Sequence, residues 1–206
     1  MDRKISKVLA RLEKQERAEL RKGDSISNLQ KIHTITSKIG RFYNVLLKAT
    51  KAKTVLEIGT SAGYSTIWFA EALQKIPKSK IITIENNPEK IQIAKRNFEE
   101  SGIADKIETR FGDALDVLEW ISHEPKKTKF DFIFIDADKE RYIQYFDASL
   151  PLLKVGGLIC ADNITYPKKF NNLMRAYLKH VRSNRKVISV TVPIDNGEEI
   201  TIKLEP

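Results

Sequence analysis

At 206 residues, with 41% hydrophobic and 31% charged side chains, the chain has the composition of a single soluble globular domain that needs neither disulfides nor a structural metal. Its one cysteine, Cys160, excludes an internal disulfide and reads as a small core residue. No apolar run approaches the ~20 residues that cross a bilayer, and the charged start Met1-Asp2-Arg3-Lys4 is unlike a signal peptide, so a cytoplasmic protein without a membrane partner is expected.

Ile5, Val8, Leu9, Leu12 and Leu20 recur at roughly helical spacing and predict an amphipathic helix over 5–22, broken by Gly23-Asp24-Ser25. Such a helix offers a face for a partner chain, in keeping with a homodimer. A second helix is predicted over 40–50, with Phe42, Val45, Leu46 and Leu47 inward. These two make a helical cap, residues 1–53, on a core of residues 54–206 within one domain. The cap holds 14 Lys/Arg against 5 Asp/Glu, and the core holds 22 of each, so the whole net charge of +9 lies in the cap.

From Thr54 onward the pattern alternates. Strands are predicted over 54–58, 80–85, 107–111, 130–136 and 157–162, and helices over 65–73, 88–101, 114–122 and 139–150. Pro88 suits a first helical turn, Gly102 a helix stop, and Pro151 ends the last of these helices. Strands alternating with helices make an α/β fold, a mainly parallel sheet covered on both faces. A basic helix over 167–183 follows, then strands 187–192 and 200–204 joined by the hairpin signal Asp195-Asn196-Gly197. Residues 163–194 contain seven basic residues and no acid. They fit either a phosphate-rich partner or a solvated lysine-rich surface.

Two strand ends carry hard oxygen ligands: Asp136 after the apolar run 130–135, and Asp162 with Asn163 after the run 157–161. Parallel strands put their carboxyl ends at one rim, where open α/β folds bind ligands. Three oxygens there suit a divalent cation with positions left for substrate. At the first strand's end, Glu57-Ile58-Gly59-Thr60-Ser61-Ala62-Gly63-Tyr64-Ser65 is a turn of small residues that lets a ligand approach the backbone. Only Gly59 fits the dinucleotide fingerprint, which disfavours a nicotinamide or flavin enzyme. Glu85 ends the second strand near the offset at which an acid meets ribose hydroxyls. Asp113 and Ala114 follow the third strand, where an adenine edge would lie. For each acid taken singly, the plain alternative is a solvated strand-end residue. Asp138 reads as a helix cap, and Trp68 and Trp120 as core packing.

The run from Val55 to Ser65 is similar to the first motif of class I S-adenosylmethionine (SAM)-dependent methyltransferases. Asp136-Ala137-Asp138-Lys139, Tyr142, Tyr145, Gly156-Gly157 and Asp162-Asn163 resemble, in order and spacing, the cation-dependent O-methyltransferases that include the catechol and caffeoyl-CoA enzymes. The resemblance spans about residues 33–167 and implies a Rossmann-like sheet of seven strands with the last antiparallel. It implies that Glu57, Gly59 and Ser65 hold the methionine end of SAM, with Ile35 against it. Glu85 then meets the ribose, Asp113 and Ala114 flank the adenine, and Asp136 reaches both cofactor and metal.

The same resemblance makes Asp136, Asp162 and Asn163 ligands of Mg²⁺, with Mn²⁺ or Ca²⁺ as alternatives, and Lys139 the general base. A lysine serves as base near neutrality only when brought down from ~10.4. The acceptor it implies is a small molecule with vicinal oxygens, such as a catechol. Lys31 and Asp138 stand where catechol O-methyltransferase has two aromatic walls, while Pro167 keeps a pocket proline, so a more polar or anionic acceptor is expected. The second reading is a tRNA wobble 5-hydroxyuridine methyltransferase, favoured by the basic segments. A cofactor- or RNA-binding module without turnover is the third.

Overall fold

In the computed structural model, described for residues 1–22, 31–125 and 128–205, seven strands form one sheet flanked by helices. The break expected at Gly23-Asp24-Ser25 lies outside the described residues. Helices α1 (Arg3–Lys22) and α2 (Ser37–Ala49) precede the alternating unit β1 (Thr54–Ile58), α3 (Tyr64–Leu73), β2 (Lys80–Glu85), α4 (Pro88–Ser101), β3 (Ile107–Phe111), α5 (Ala114–His123) and β4 (Phe130–Ile135). Helix α6 (Tyr142–Ser149), β5 (Leu153–Ala161), α7 (Asn171–Ser183), β6 (Val187–Val192) and β7 (Glu198–Lys203) complete the chain.

The strand order is β3-β2-β1-β4-β5-β7-β6, parallel from β3 to β5, with β7 antiparallel to both of its neighbours. Strand order reverses between β1 and β4, the switch point at which open α/β sheets bind ligands. The carboxyl ends of β1, β4 and β5 therefore stand side by side there.

Strand parity explains the unbroken apolar runs. Phe132 and Phe134 point to one face and Ile133 and Ile135 to the other, and both faces are covered. The first face packs against α1 to α4 through Ile5, Leu12, Ile39, Tyr43, Phe69 and Phe98. The second packs against α5 to α7 through Leu118, Ile121, Phe146 and Tyr177. Phe69, Phe132 and Phe134 are fully buried and meet Tyr43 edge-on, with centroids 5.0–6.2 Å away. Each such ring contributes about 1.5–3 kcal/mol through burial.

Local chemistry sets the helix ends. Asn87 Oδ1 accepts from the N–H groups of Glu89 and Lys90 ahead of Pro88, and Gly102 closes α4 in the left-handed conformation. Thr36 caps α2 through the N–H of Ile39. No helix among the described residues is long and apolar enough to cross a membrane.

Several expectations need correction. Leu20 is exposed, while Ile5, Val8, Leu9 and Leu12 of α1 are buried within this chain, so its apolar face is already covered. In α2, Leu47 is buried as expected and Phe42 and Leu46 pack partly buried against the core, but Val45 is exposed and the buried face runs through Ile39 and Tyr43 instead. The helix expected over 139–150 is a 3₁₀ turn (Lys139–Arg141), then α6, then a second 3₁₀ turn (Leu150–Leu152) that takes in Pro151. Strand β5 begins four residues earlier than expected, and β7 two residues earlier.

Candidate active site

Gly59 follows β1 with φ +100°, and its N–H donates to Ile84 O at 3.0 Å. A Cβ here would lie 2.0 Å from the carbonyl oxygen of Asp136, so only glycine lets the β1 turn rest on the end of β4. The turn that approaches a ligand is thereby in direct contact with an acid-bearing strand end. Gly63, at φ +80°, starts α3 where a Cβ would run into the Phe98 ring at 2.4 Å. Ser61 donates through Oγ to Ile32 O, which brings the segment bearing the buried Ile35 across this turn.

Glu57 and Ser65 lie beneath the turn. Glu57 is fully buried, and its carboxyl accepts from the hydroxyls of Ser65, Thr66 and Thr83. Burial pushes Glu57 up to about 7, against the three hydroxyl donors that hold it down. In this arrangement Glu57 positions Ser65 and the start of α3.

Glu85, at the end of β2, turns its carboxylate back on the glycine turn. Its Oε2 accepts from Ser61 N at 2.8 Å, and its Oε1 from the N–H groups of Asn86 and Asn87 at 3.0 Å each.

Asp113 caps α5, accepting from Leu115 N at 3.0 Å, with Ala114 as the first helical residue. Arg141 grips the same carboxylate with two nitrogens at 2.5 and 2.8 Å. That guanidinium, above all, holds Asp113 below the usual carboxylate range. Arg141 also lies over the Tyr145 ring, 5.5 Å from its centroid, and the Tyr145 hydroxyl donates to Asp138. Asp138 therefore does not cap with its side chain, as expected; it anchors Tyr145 instead. Trp120 also departs from expectation: it is exposed, with the Arg110 guanidinium stacked 4.1 Å above it.

At the rim, Asp136 N donates to Ile58 O and Asp162 N to Ile135 O, both at 3.0 Å, so the ladder carries both acids one step past the strands. Lys139 is buried; its Nζ lies 3.7 Å from Asp136 Oδ1 and donates to Asp162 O at 3.0 Å and to the Tyr142 hydroxyl. Asn163, at φ +60°, donates from Nδ2 to Asp162 Oδ2 at 2.5 Å, and its Oδ1 accepts from Asn196 Nδ2 at 2.8 Å. Asp162 is buried and faces Glu198 across the next step of the β5–β7 ladder, and Glu198 Oε2 accepts from the Tyr43 hydroxyl. Burial first, and then each acid's like-charged neighbours, push both Asp162 and Glu198 up, Glu198 further.

Among the described residues, no three His, Cys, Asp or Glu side chains are grouped to hold a metal ion. The expected set draws on two carboxylates and an amide. These are hard oxygens, and the Asn163 carbonyl keeps a second lone pair beside the one Asn196 uses. The buried acids outnumber the one ammonium beside them, and Glu198 Oε1 has no donor. A divalent cation fits this donor chemistry.

Three contributors were not foreseen from sequence. Arg141 had a signal, a basic side chain five residues past Asp136, but its partner Asp113 is distant in sequence. Glu198 was missed because β7 was started at residue 200; at strand parity it shares the inward face of Ile200 and Ile202. Tyr43 was missed with the buried face of α2.

A family model described as O-methyltransferase matches residues 7–202. The chain is 40% identical over 131 residues to a catechol O-methyltransferase of Niastella koreensis, covering 64% of this chain and 58% of that one. It is 41% identical over 132 residues to caffeoyl-CoA O-methyltransferase 1 of Eucalyptus globulus, covering 64% and 53%. It thus spans a little over half the length of these curated relatives. Among solved structures, an O-methyltransferase from Bacillus cereus in complex with SAH superposes with a TM-score of 0.80 at 27% identity, covering 98% of this chain and 91% of that one.

Proposed function

Since this chain belongs to the O-methyltransferase family, we propose that it moves the methyl group of SAM to an acceptor hydroxyl, with a divalent cation beside the acceptor. The reading is carried by one observation: the Gly59 turn rests on Asp136, so the place for a sulfonium donor adjoins the place for a chelated acceptor. The complex of the Bacillus cereus relative with SAH supports the choice of donor.

In this reading the backbone of the Gly59–Gly63 turn receives the methionine end, with Ile35 against it and Ser65 held by Glu57 beneath. Glu85 meets the ribose, with Ser61 N keeping its carboxylate in place. Asp113 and Ala114 edge the adenine, with Arg141 fixing Asp113. Asp136, Asp162 and Asn163 would hold Mg²⁺ or a similar ion, which supplies alignment of two vicinal oxygens and a more acidic acceptor hydroxyl. Lys139, 3.7 Å from Asp136 Oδ1 and held by the Asp162 backbone carbonyl, takes the acceptor's proton at Nζ. The acceptor oxygen bonds to the methyl carbon as the carbon–sulfur bond breaks, leaving SAH. Most of the acceleration comes from alignment.

A small molecule with vicinal oxygens is the proposed acceptor. Lys31 and Asp138, standing where the catechol enzyme has aromatic walls, favour a polar acceptor, and Lys31 suits an anionic one. A tRNA acceptor is the second reading: Lys168, Lys169, Arg175, Lys179, Arg182, Arg185 and Lys186 are all exposed, and they follow Asn163 in the chain. Incubating the chain with methyl-labelled SAM and fractionated cell extract separates the two. Label in small metabolites supports the first reading; label in RNA, with tRNA binding that weakens steeply with salt, supports the second. Label in neither, with no SAM binding by calorimetry, overturns both.

A further inference from the structure

The last ladder pair between β5 and β7 is Ala161 with Glu199. One step further along, Asp162 stands opposite Glu198. Two acids directly opposite on one face repel, yet both are buried here. Behind Glu198 is Tyr43, whose hydroxyl donates to Glu198 Oε2. Tyr43 itself cannot shift, because its ring is fully buried and set edge-on among Phe69, Phe132 and Phe134. Glu198 Oε1, also buried, accepts from no donor, which leaves it free to meet the carboxyl of Asp162 opposite. A continuous line thus runs from the aromatic core through Tyr43 and Glu198 to Asp162.

We propose that Glu198 is a positioning residue for the cation site: seated on Tyr43, it fixes the carboxylate of Asp162, so that β7 sets the affinity of a site whose ligands come from the ends of β4 and β5. The inference rests on the cation reading given above. Groups that hydrogen-bond a ligating carboxylate orient it, and their loss costs about 10–100-fold in metal affinity. Glutamine in place of Glu198 keeps the shape and can donate to Asp162 while accepting from Tyr43. Leucine keeps the bulk and can do neither.

The test is Mn²⁺ binding by the whole chain, followed through the EPR signal of the free ion, for the wild type, Glu198→Gln and Glu198→Leu. SAM affinity and the thermal midpoint of each variant serve as controls on folding. Glu198→Leu is expected to bind Mn²⁺ about 10–100-fold more weakly with SAM affinity kept, and Glu198→Gln to retain most of the affinity. Should Glu198→Leu not fold, Tyr43→Phe carries the test, with a several-fold loss expected. Mn²⁺ affinity unchanged in Glu198→Leu, or in Tyr43→Phe where that variant stands in, overturns the proposal. So does a loss in Glu198→Gln as large as in Glu198→Leu, which would make the residue a charged ligand. Absence of Mn²⁺ binding by the wild type would instead overturn the cation reading, and this inference with it.

Discussion

Replacing Glu57 by Gln should change how stability depends on pH. Glu57 is fully buried under three hydroxyl donors, and burial lifts its carboxyl from 4.5 to about 7. The native state holds this proton more tightly than the unfolded chain does. The contribution is therefore fully present below about pH 4.5 and is lost as pH rises through about 7. Over that window it amounts to about 3 kcal/mol, of which roughly 2–3 kcal/mol falls between pH 5 and 8. Gln keeps an acceptor for the hydroxyls and has no proton to lose. Urea unfolding of both proteins at pH 5, 6, 7 and 8, without cofactor, isolates the effect, because every other titrating group is common to the pair. The stability difference, variant minus wild type, should grow in favour of Gln as pH rises. A difference that is flat across this range, or that grows in favour of Glu, would refute the assignment of a proton to buried Glu57.

Three further substitutions probe the rest of the site. Gly59→Ala places a methyl 2.0 Å from Asp136 O at a φ of +100°; calorimetry should find SAM binding lost, and urea unfolding a destabilisation of at least about 2 kcal/mol. Lys139→Met should lower kcat by about 10²–10⁴-fold while the calorimetric Kd for SAM stays near that of the wild type; an unchanged kcat would remove Lys139 as the base. Arg141→Ala frees Asp113 from its two contacts, at 2.5 and 2.8 Å. The pair is partly exposed, so the expected stability loss is only about 1 kcal/mol, fading in acid as Asp113 protonates, and it should be accompanied by weaker SAM binding.

The central strands β1, β2, β4 and β5 were legible because sheet burial on both faces writes near-continuous apolar runs, and β1, β2, β3 and β6 begin and end where the sequence places them. The rim was legible for the same reason: an apolar run that stops at Asp136 or Asp162 marks a strand end. Side-chain partners were not. Asp138 occupies a cap position, yet its oxygen goes to Tyr145, which lies seven residues on, in the first turn of α6 beyond the 3₁₀ turn. Glu198 and Glu199 look like loop residues, since two adjacent acids argue against a strand. They are buried only because Tyr43 and Asp162 meet one, while Arg182, Ser189 and Thr191 meet the other. Spacing alone puts Val45 inward and Leu20 in step with the apolar face of α1, yet both are exposed; the chain has apolar side chains to spare for its surface.

Turnover with methyl-labelled SAM and a panel of dihydroxyaryl acceptors, run with EDTA and then with Mg²⁺ restored, tests the central claim most directly. Donor and chelated acceptor meeting where β1, β4 and β5 end predicts label in a monomethylated product, none of it in EDTA, and recovery when Mg²⁺ is added back. Product formed equally well in EDTA would contradict the cation's part, and no product under any condition with any acceptor would contradict the methyl transfer itself.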